Sequence, residues 1–331
     1  MNRQAVTEVR ERASVLDLFK QFFRGLGDNA GMLLVFAVMC IAFSFFVPYF
    51  FTYKNLVAIL LSVSMVGMVA CTMLFCLASG DFDLSIEAVV AFAGVLTAVI
   101  MNATGSVFLG ILGGVLAGGL VGLVNGVVIA KLKINALITT LATMQIVRGL
   151  GFISSKGSAV GVSQVAFFSL GNGEIFGIPM PIWITLLCFI TFGILLNNTT
   201  YGRNTLAIGG NKEAARLSGI NVDRTKIAIF LIQGIVAGLA GVILASRMTS
   251  GQPNTSVGFA LDVISACVLG GVSLAGGVGT MTGTIVGVFI MGTVQNSMNL
   301  LNIPTFYQYV VRGVILLAAV LFDQLKQRKK R

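Results

Sequence analysis

The chain has 331 residues, 56% of them apolar and only 10% charged, with a mean hydropathy of +0.95, a formal charge of +10 and no histidine. Soluble domains carry about a quarter charged residues, so a soluble domain is excluded and an integral membrane protein is the starting expectation. The missing imidazole removes Ser-His-Asp triads, helical zinc motifs and His-ligated metal centres, and with them most routes to catalysis.

Residues 1–29 mix both charge signs (Arg3, Arg10, Arg12, Lys20 and Arg24 against Glu8, Glu11, Asp17 and Asp28). They read as a cytoplasmic tail with no cleavable signal pattern. Apolar runs of about 20 residues then predict ten membrane spans, at 30–51, 55–78, 84–101, 106–130, 134–153, 181–197, 226–246, 260–275, 280–298 and 305–322. The third and eighth are short and flanked by charge or Gly-rich sequence, which allows broken or re-entrant helices there. Residues 324–331 form a basic tail. The fold class expected is therefore an all-α integral membrane domain over 30–323.

With the N-terminus in the cytoplasm, every Lys and Arg except Lys54, Arg148, Lys156, Arg247 and Arg312 falls in a tail or loop on the cytoplasmic side. Inverting the topology would reverse that bias, so both termini are expected inside. The basic residues are spread over tails and short loops without interleaved aromatics, which argues for a topology signal and against a nucleic-acid partner. Cys40, Cys71, Cys76, Cys188 and Cys267 lie in apolar runs without CxxC spacing and read as small buried hydrophobes, with no metal site.

The fourth span carries Gly110, Gly114, Gly118, Gly122 and Gly126 on one helical face, and the ninth carries Gly279, Gly283 and Gly287 at the same spacing. Small residues at this interval let helix backbones approach closely. Adding 165 to Gly114, Gly118 and Gly122 gives Gly279, Gly283 and Gly287, and adding 164 to Val147-Arg148-Gly149 gives Val311-Arg312-Gly313. Two nearly equal offsets predict an internal duplication, with halves at about 30–155 and 175–323. Five spans per half place the halves in opposite orientation, an inverted-repeat architecture used by transporters.

Charges at membrane depth are functional candidates. Asp81, Asp83, Ser85 and Glu87 cluster before the third span, and Gly258 through Asp262 is the expected counterpart before the eighth. Asp83 and Asp262 are read as helix N-caps that also line a pathway. Arg148 and Arg312 stand at equivalent positions in the two halves, able to pair with these acids, contact a polar substrate or snorkel to an interface.

The loop at about 199–225 holds the strongest local signal. Asn211 is a good N-cap, 212–218 are mostly strong helix formers, and Gly219 is a natural stop, so a short helix is expected to hang on the cytoplasmic side. A rigid exposed helix suits the transmission of force from a cytoplasmic partner. The P-loop pattern GxxxxGK[ST] is absent, so the chain is expected to bind no ATP; a partner subunit would bind ATP and Mg and hydrolyse it.

Glu213-Ala214-Ala215 followed by Gly219 resembles the EAA coupling loop of ABC importer permeases, and Gly80-Asp81-Phe82-Asp83-Leu84-Ser85 resembles the G-G-x-D-L-S motif of the ribose/xylose/arabinose/galactoside branch. Leu261-Asp262 through Val268-Leu269-Gly270-Gly271-Val272-Ser273-Leu274-Ala275-Gly276-Gly277 to Asn299-Leu300-Leu301 is similar to that branch's second-half signature. Asp81 and Glu87 depart from it, standing where the pattern has Gly, so the substrate is not carried over from the ribose members. Among the branch, the L-arabinose members look most alike.

The resemblance implies a multi-pass permease of the bacterial inner membrane, with no catalytic residues, cofactor or metal of its own. It would import a monosaccharide as a homodimer, on cytoplasmic ATPase subunits and fed by a periplasmic sugar-binding protein, by alternating access in which the halves rock. Gly210, Asn211, Glu213, Ala214, Ala215 and Gly219 would couple to the ATPase; Asp83, Ser85, Asp262 and Arg312 would line the pathway; Gly114, Gly118, Gly122, Gly279, Gly283 and Gly287 would pack helices. The competing reading is a proton-coupled secondary transporter with Asp81, Asp83 and Glu87 as relay and Arg312 as partner.

Overall fold

A computed structural model describes residues 30–328, so the expected tail at 1–29 and the last three residues of the basic tail lie outside the described residues. In chain order the helices are α1 (Ala30–Phe46), α2 (Tyr53–Ala78), α3 (Ile86–Thr104), α4 (Val107–Lys131), α5 (Ala136–Ser155), α6 (Val165–Asn172), α7 (Met180–Asn198), α8 (Thr200–Gly210), α9 (Lys212–Leu217), α10 (Val222–Arg247), α11 (Phe259–Leu269), α12 (Met281–Leu300) and α13 (Thr305–Arg328). Two antiparallel two-residue ladders decorate the links: β1 (Val160–Gly161) with β4 (Ser250–Gly251), and β2 (Glu174–Ile175) with β3 (Ile178–Pro179).

All ten apolar runs are helical. Seven helices among the described residues are long and apolar enough to cross a membrane: α2, α3, α4, α5, α7, α10 and α13. The third span is thus a full helix of 19 residues, whereas the eighth stops after 11. It ends at Gly270-Gly271, where Gly271 takes φ +79°, a conformation open to glycine and unfavourable for a continuing helix. The first run ends at Phe46 and not at 51, because Val47 precedes Pro48 and that position disfavours helical backbone. α12 has the length but not the hydropathy, since Thr293, Gln295, Asn296, Ser297 and Asn299 fill its second half.

α2 lies at the centre. Gly67 through Ala78 are all buried, as expected for a helix apolar all round. It packs along α12, α11, α7 and α10. The chain halves are interleaved: α2, from the first half, lies on α11 and α12, while α10, from the second, lies on α3 and α4. α3 in turn packs on α4 and α5, and α11 packs on α12 and α13. The same four pairings therefore occur twice, once in the group α3, α4, α5, α10 and once in the group α11, α12, α13, α2. Each group thus holds one helix from the other chain half.

The first glycine ladder closes the α4–α10 seam. A Cβ at Gly118 would collide with the Gly234 carbonyl, one at Gly122 with the Phe230 carbonyl, and one at Gly114 with Thr97 Oγ1 and, at 2.8 Å, the Ala93 carbonyl of α3. In the second ladder Gly283 abuts the carbonyl of Gly270, the C-cap of α11, and Gly287 the Ala266 carbonyl within it. Gly279 departs from the expectation, since it precedes α12. Thr280 is the N-cap, its Oγ1 accepting the Gly283 N–H at 3.1 Å, and a Cβ at Gly279 would make only ordinary contact with Val272, at 3.4 Å.

Candidate translocation and coupling site

α2 ends in Ser79 and Gly80, the latter at φ +81°, and the chain runs extended to Ser85 before α3 begins. The N-cap of α3 is Ser85, whose side chain makes no cap bond, so the expected N-cap role does not fall to Asp83, which is 1% exposed and braces the cap residue. Asp83 Oδ1 accepts the Ser85 N–H at 2.9 Å and the Ser85 hydroxyl at 2.6 Å. Ser85 Oγ accepts from Asn125 Nδ2 of α4 at 2.9 Å, and Asn125 Oδ1 accepts from Thr143 of α5 at 2.7 Å. A buried polar chain thus ties the start of α3 to both its neighbours, with each named link satisfied as burial requires.

Three largely buried ion pairs hold the other acids of the two stretches. Asp81 Oδ2 meets Lys226 Nζ of α10 at 2.6 Å, Glu87 Oε1 meets Arg148 of α5 at 2.9 Å, and Asp262 Oδ2 meets Arg312 of α13 at 2.8 Å. Glu87 Oε2 also accepts the Gly258 N–H at 2.9 Å, and Arg148 donates to the Thr255 carbonyl at 3.3 Å. The N-terminal ends of α3 and α11 therefore meet at one carboxylate.

This revises two expectations. Asp262 is not an N-cap: it lies inside the first turn of α11, whose cap is Gly258, and the acid that satisfies that cap's N–H is Glu87. Within the two stretches expected to correspond, the acid that matches Asp262 is Glu87, since each is an acid in a first helical turn paired with the Arg of a Val-Arg-Gly triplet. The signal was in the sequence, in the duplicated arginines: a buried arginine calls for an acid, and the first-turn acid nearest each is Glu87 or Asp262. Lys226, expected in the cytoplasmic loop, is turned inward, its side chain only 10% exposed.

The cytoplasmic loop holds the expected short helix, α9. Asn211 Oδ1 accepts the Ala214 N–H at 3.0 Å. At its other end Ile220 N–H reaches the Ala215 carbonyl and Gly219 N–H the Arg216 carbonyl, a paired closure that needs the left-handed backbone Gly219 supplies at φ +85°. Ala215 is buried with Ile208, Ile220 and Val222, while Leu217 is 84% exposed and Glu213 and Arg216 form an exposed pair at 3.3 Å. α9 is thus anchored on one side and open on the other. The preceding α8 was not read from the sequence, because Gly202, Gly209 and Gly210 interrupt its apolar spacing; its cap, Thr199, was the available clue.

Residues 55–320 match the profile of a family described as branched-chain amino acid transport system / permease component. The chain belongs to this permease family. The permease is 63% identical over 309 residues to the L-arabinose transport system permease protein AraH of Escherichia coli K12, covering 93% of this chain and 94% of that one. It is 54% identical over 327 residues to the L-arabinose ABC transporter permease protein AraH of Azospirillum brasilense (99% and 94%), and 39% identical over 306 residues to the ribose import permease protein RbsC of Bacillus subtilis 168 (92% and 95%). No solved structure matches the permease.

Proposed function

We propose that this chain is the membrane-spanning subunit of an ATP-driven, binding-protein-dependent L-arabinose importer in the bacterial inner membrane. Relatedness to L-arabinose permeases over nearly the whole length carries the substrate and the class. The capped α9, open on the face carrying Glu213 and Leu217, supports the means of coupling. In this reading Gly210, Asn211, Glu213, Ala214, Ala215 and Gly219 form the seat for a cytoplasmic ATPase subunit, which binds ATP and Mg.

The ten helical runs cross the membrane as two inverted sets of five with both termini inside, supported by the twofold recurrence of helix pairings. α11 is completed in its crossing by the Gly-rich stretch after it. Two copies of the chain assemble around the pathway, fed by a periplasmic sugar-binding protein. Asp83, Ser85, Asp262 and Arg312 lie beside that pathway where α3 and α11 begin, the arrangement in which short helix ends face a polar substrate. Nothing favours a proton relay, because Asp81, Glu87 and Asp262 are each held by a lysine or arginine.

The test is uptake of L-arabinose by proteoliposomes holding the permease, its ATPase and the binding protein. Uptake is expected to require ATP, and Glu213→Lys is expected to reduce it at least tenfold while the protein still inserts. Uptake driven by a pH gradient without ATP would overturn the proposal.

A further inference from the structure

The ion pair between Asp81 and Lys226 stands at a costly location. Lys226 sits near the N-terminal end of α10, where the helix dipole disfavours a cation, and is turned away from water although a lysine has the reach to snorkel. A buried pair adds little to stability over an apolar replacement of equal volume. Position, and not stability, is therefore the property to explain.

Both ends of the α9 segment grip one short stretch of chain. On the upstream side, Gly209 lies against the Ala78 carbonyl and Gly277, and Gly276 against Gly209 and Gly80; Gly277 N–H donates to the Ala78 carbonyl at 2.9 Å. On the downstream side, Lys226 holds Asp81 at 2.6 Å, while Ser79 donates to the same carboxylate oxygen at 3.4 Å. The gripped stretch, 78–81, leads within a few residues to Asp83, Ser85 and Glu87, and through Glu87 to the start of α11. Glycine backbones in contact can slide past one another. A charge pair at 2.6 Å inside the protein is directional and resists separation.

We infer that Lys226 and Asp81 form the strut that carries displacement of α9 to the start of α3, and so to the meeting point of α3 and α11. They are positioning residues, neither touching nucleotide nor required to touch sugar. The inference rests on the ABC importer reading above. Asp81 stands where the G-G-x-D-L-S pattern has glycine, so that pattern does not itself supply the acid of the strut.

The test uses the reconstituted system with L-arabinose as probe, reading sugar taken up per ATP hydrolysed beside the melting temperature of the purified permease. Asp81→Asn and Lys226→Met each strand a buried charge and are expected to lower both. The double variant D81N/K226M removes both charges, and is expected to recover the wild-type melting temperature while still moving at least tenfold less sugar per ATP. Lys226→Arg, which keeps charge and reach, is expected to keep at least half of the wild-type ratio. A double variant with the wild-type ratio, or a Lys226→Arg variant as uncoupled as Lys226→Met, would overturn the strut. A wild-type protein that hydrolyses no ATP with its partner, or imports sugar without it, would instead remove the reading beneath it.

Discussion

The two four-helix groups repeat the same pairings but are not bound alike. In the group α3, α4, α5, α10, the long seam is backbone on backbone, with Gly118 and Gly122 against Gly234. In the group α11, α12, α13, α2, the corresponding α2–α12 seam meets through side chains: a Cβ at Gly67 would approach Val288 Cγ1 at 3.3 Å, and one at Gly292 would press on Val63. The ion pairs differ in the same direction. Glu87–Arg148 makes two further bonds to the segment before α11, whereas Arg312 leaves Nε without a partner among the described residues and lies 5.8 Å from the Tyr309 ring. Backbone contact has no rotamers with which to adapt, so the α4–α10 seam is the stiffer of the two corresponding seams and the α2–α12 seam can repack.

The largest expected effect breaks the stiff seam. Gly118→Leu places a side chain where the Gly234 carbonyl and the Gly238 Cα already lie, the latter 2.8 Å from an added Cβ, and neither can move without displacing α10. Overpacking alone costs about 1–3 kcal/mol, occasionally more, and here the whole helix interface must open. The variant is expected to yield no folded, detergent-extractable protein. Gly292→Ala presses on the movable Val63 side chain and is expected to give folded protein with a small loss in melting temperature. Equal tolerance at both sites would sink the contrast.

Next come the arginines. Arg148→Met leaves Glu87 buried and uncompensated, and removes a donor from the Thr255 carbonyl. Breaking a buried pair by losing one partner costs about 3–5 kcal/mol, and the loss should fall at the upper end of that range. Arg312→Met strands Asp262 alone and should fall at the lower end. Thermal unfolding of the two variants in detergent checks the order, and a reversed order would show that the wiring of Glu87 into the second group adds no stability.

Much of this architecture was legible in the sequence, for reasons that also explain what was not. Apolar runs announce helices because the membrane requires about 20 such residues; each of the ten runs contains a helix, and seven of these helices are long and apolar enough to cross. Asn211 and Gly219 announced α9 because caps have strong residue preferences. Which helix packs on which is a different kind of fact: the ladder at Gly114, Gly118 and Gly122 predicts a close neighbour but not that it is α10 from the other half. Gly279 was over-read because periodicity alone does not say where a helix starts, and Thr280 does. Which acid of the 81–87 cluster meets which arginine was not legible from spacing alone, because ion pairing follows the turn on which the acid sits and the neighbour it faces, and spacing gives neither.

The smallest expected effect concerns the polar chain at the entry to α3. Asp83, Ser85, Asn125 and Thr143 lock the entry to α3, whereas the cap of α11, Gly258, has no side chain and borrows Glu87 from α3. Asp83 uses one oxygen, Oδ1, for both its bonds to Ser85. Asparagine keeps an oxygen acceptor at that position, so Asp83→Asn should cost less than about 1 kcal/mol, the worth of a single net hydrogen bond. Asp83→Ala strands the Ser85 N–H in a buried site and should cost about 1–3 kcal/mol, read again as a lowered melting temperature. If the two variants proved equally damaging, the negative charge of Asp83 and not its hydrogen bonding would be what the start of α3 depends on, and the first group would need an electrostatic account like that of the arginine pairs.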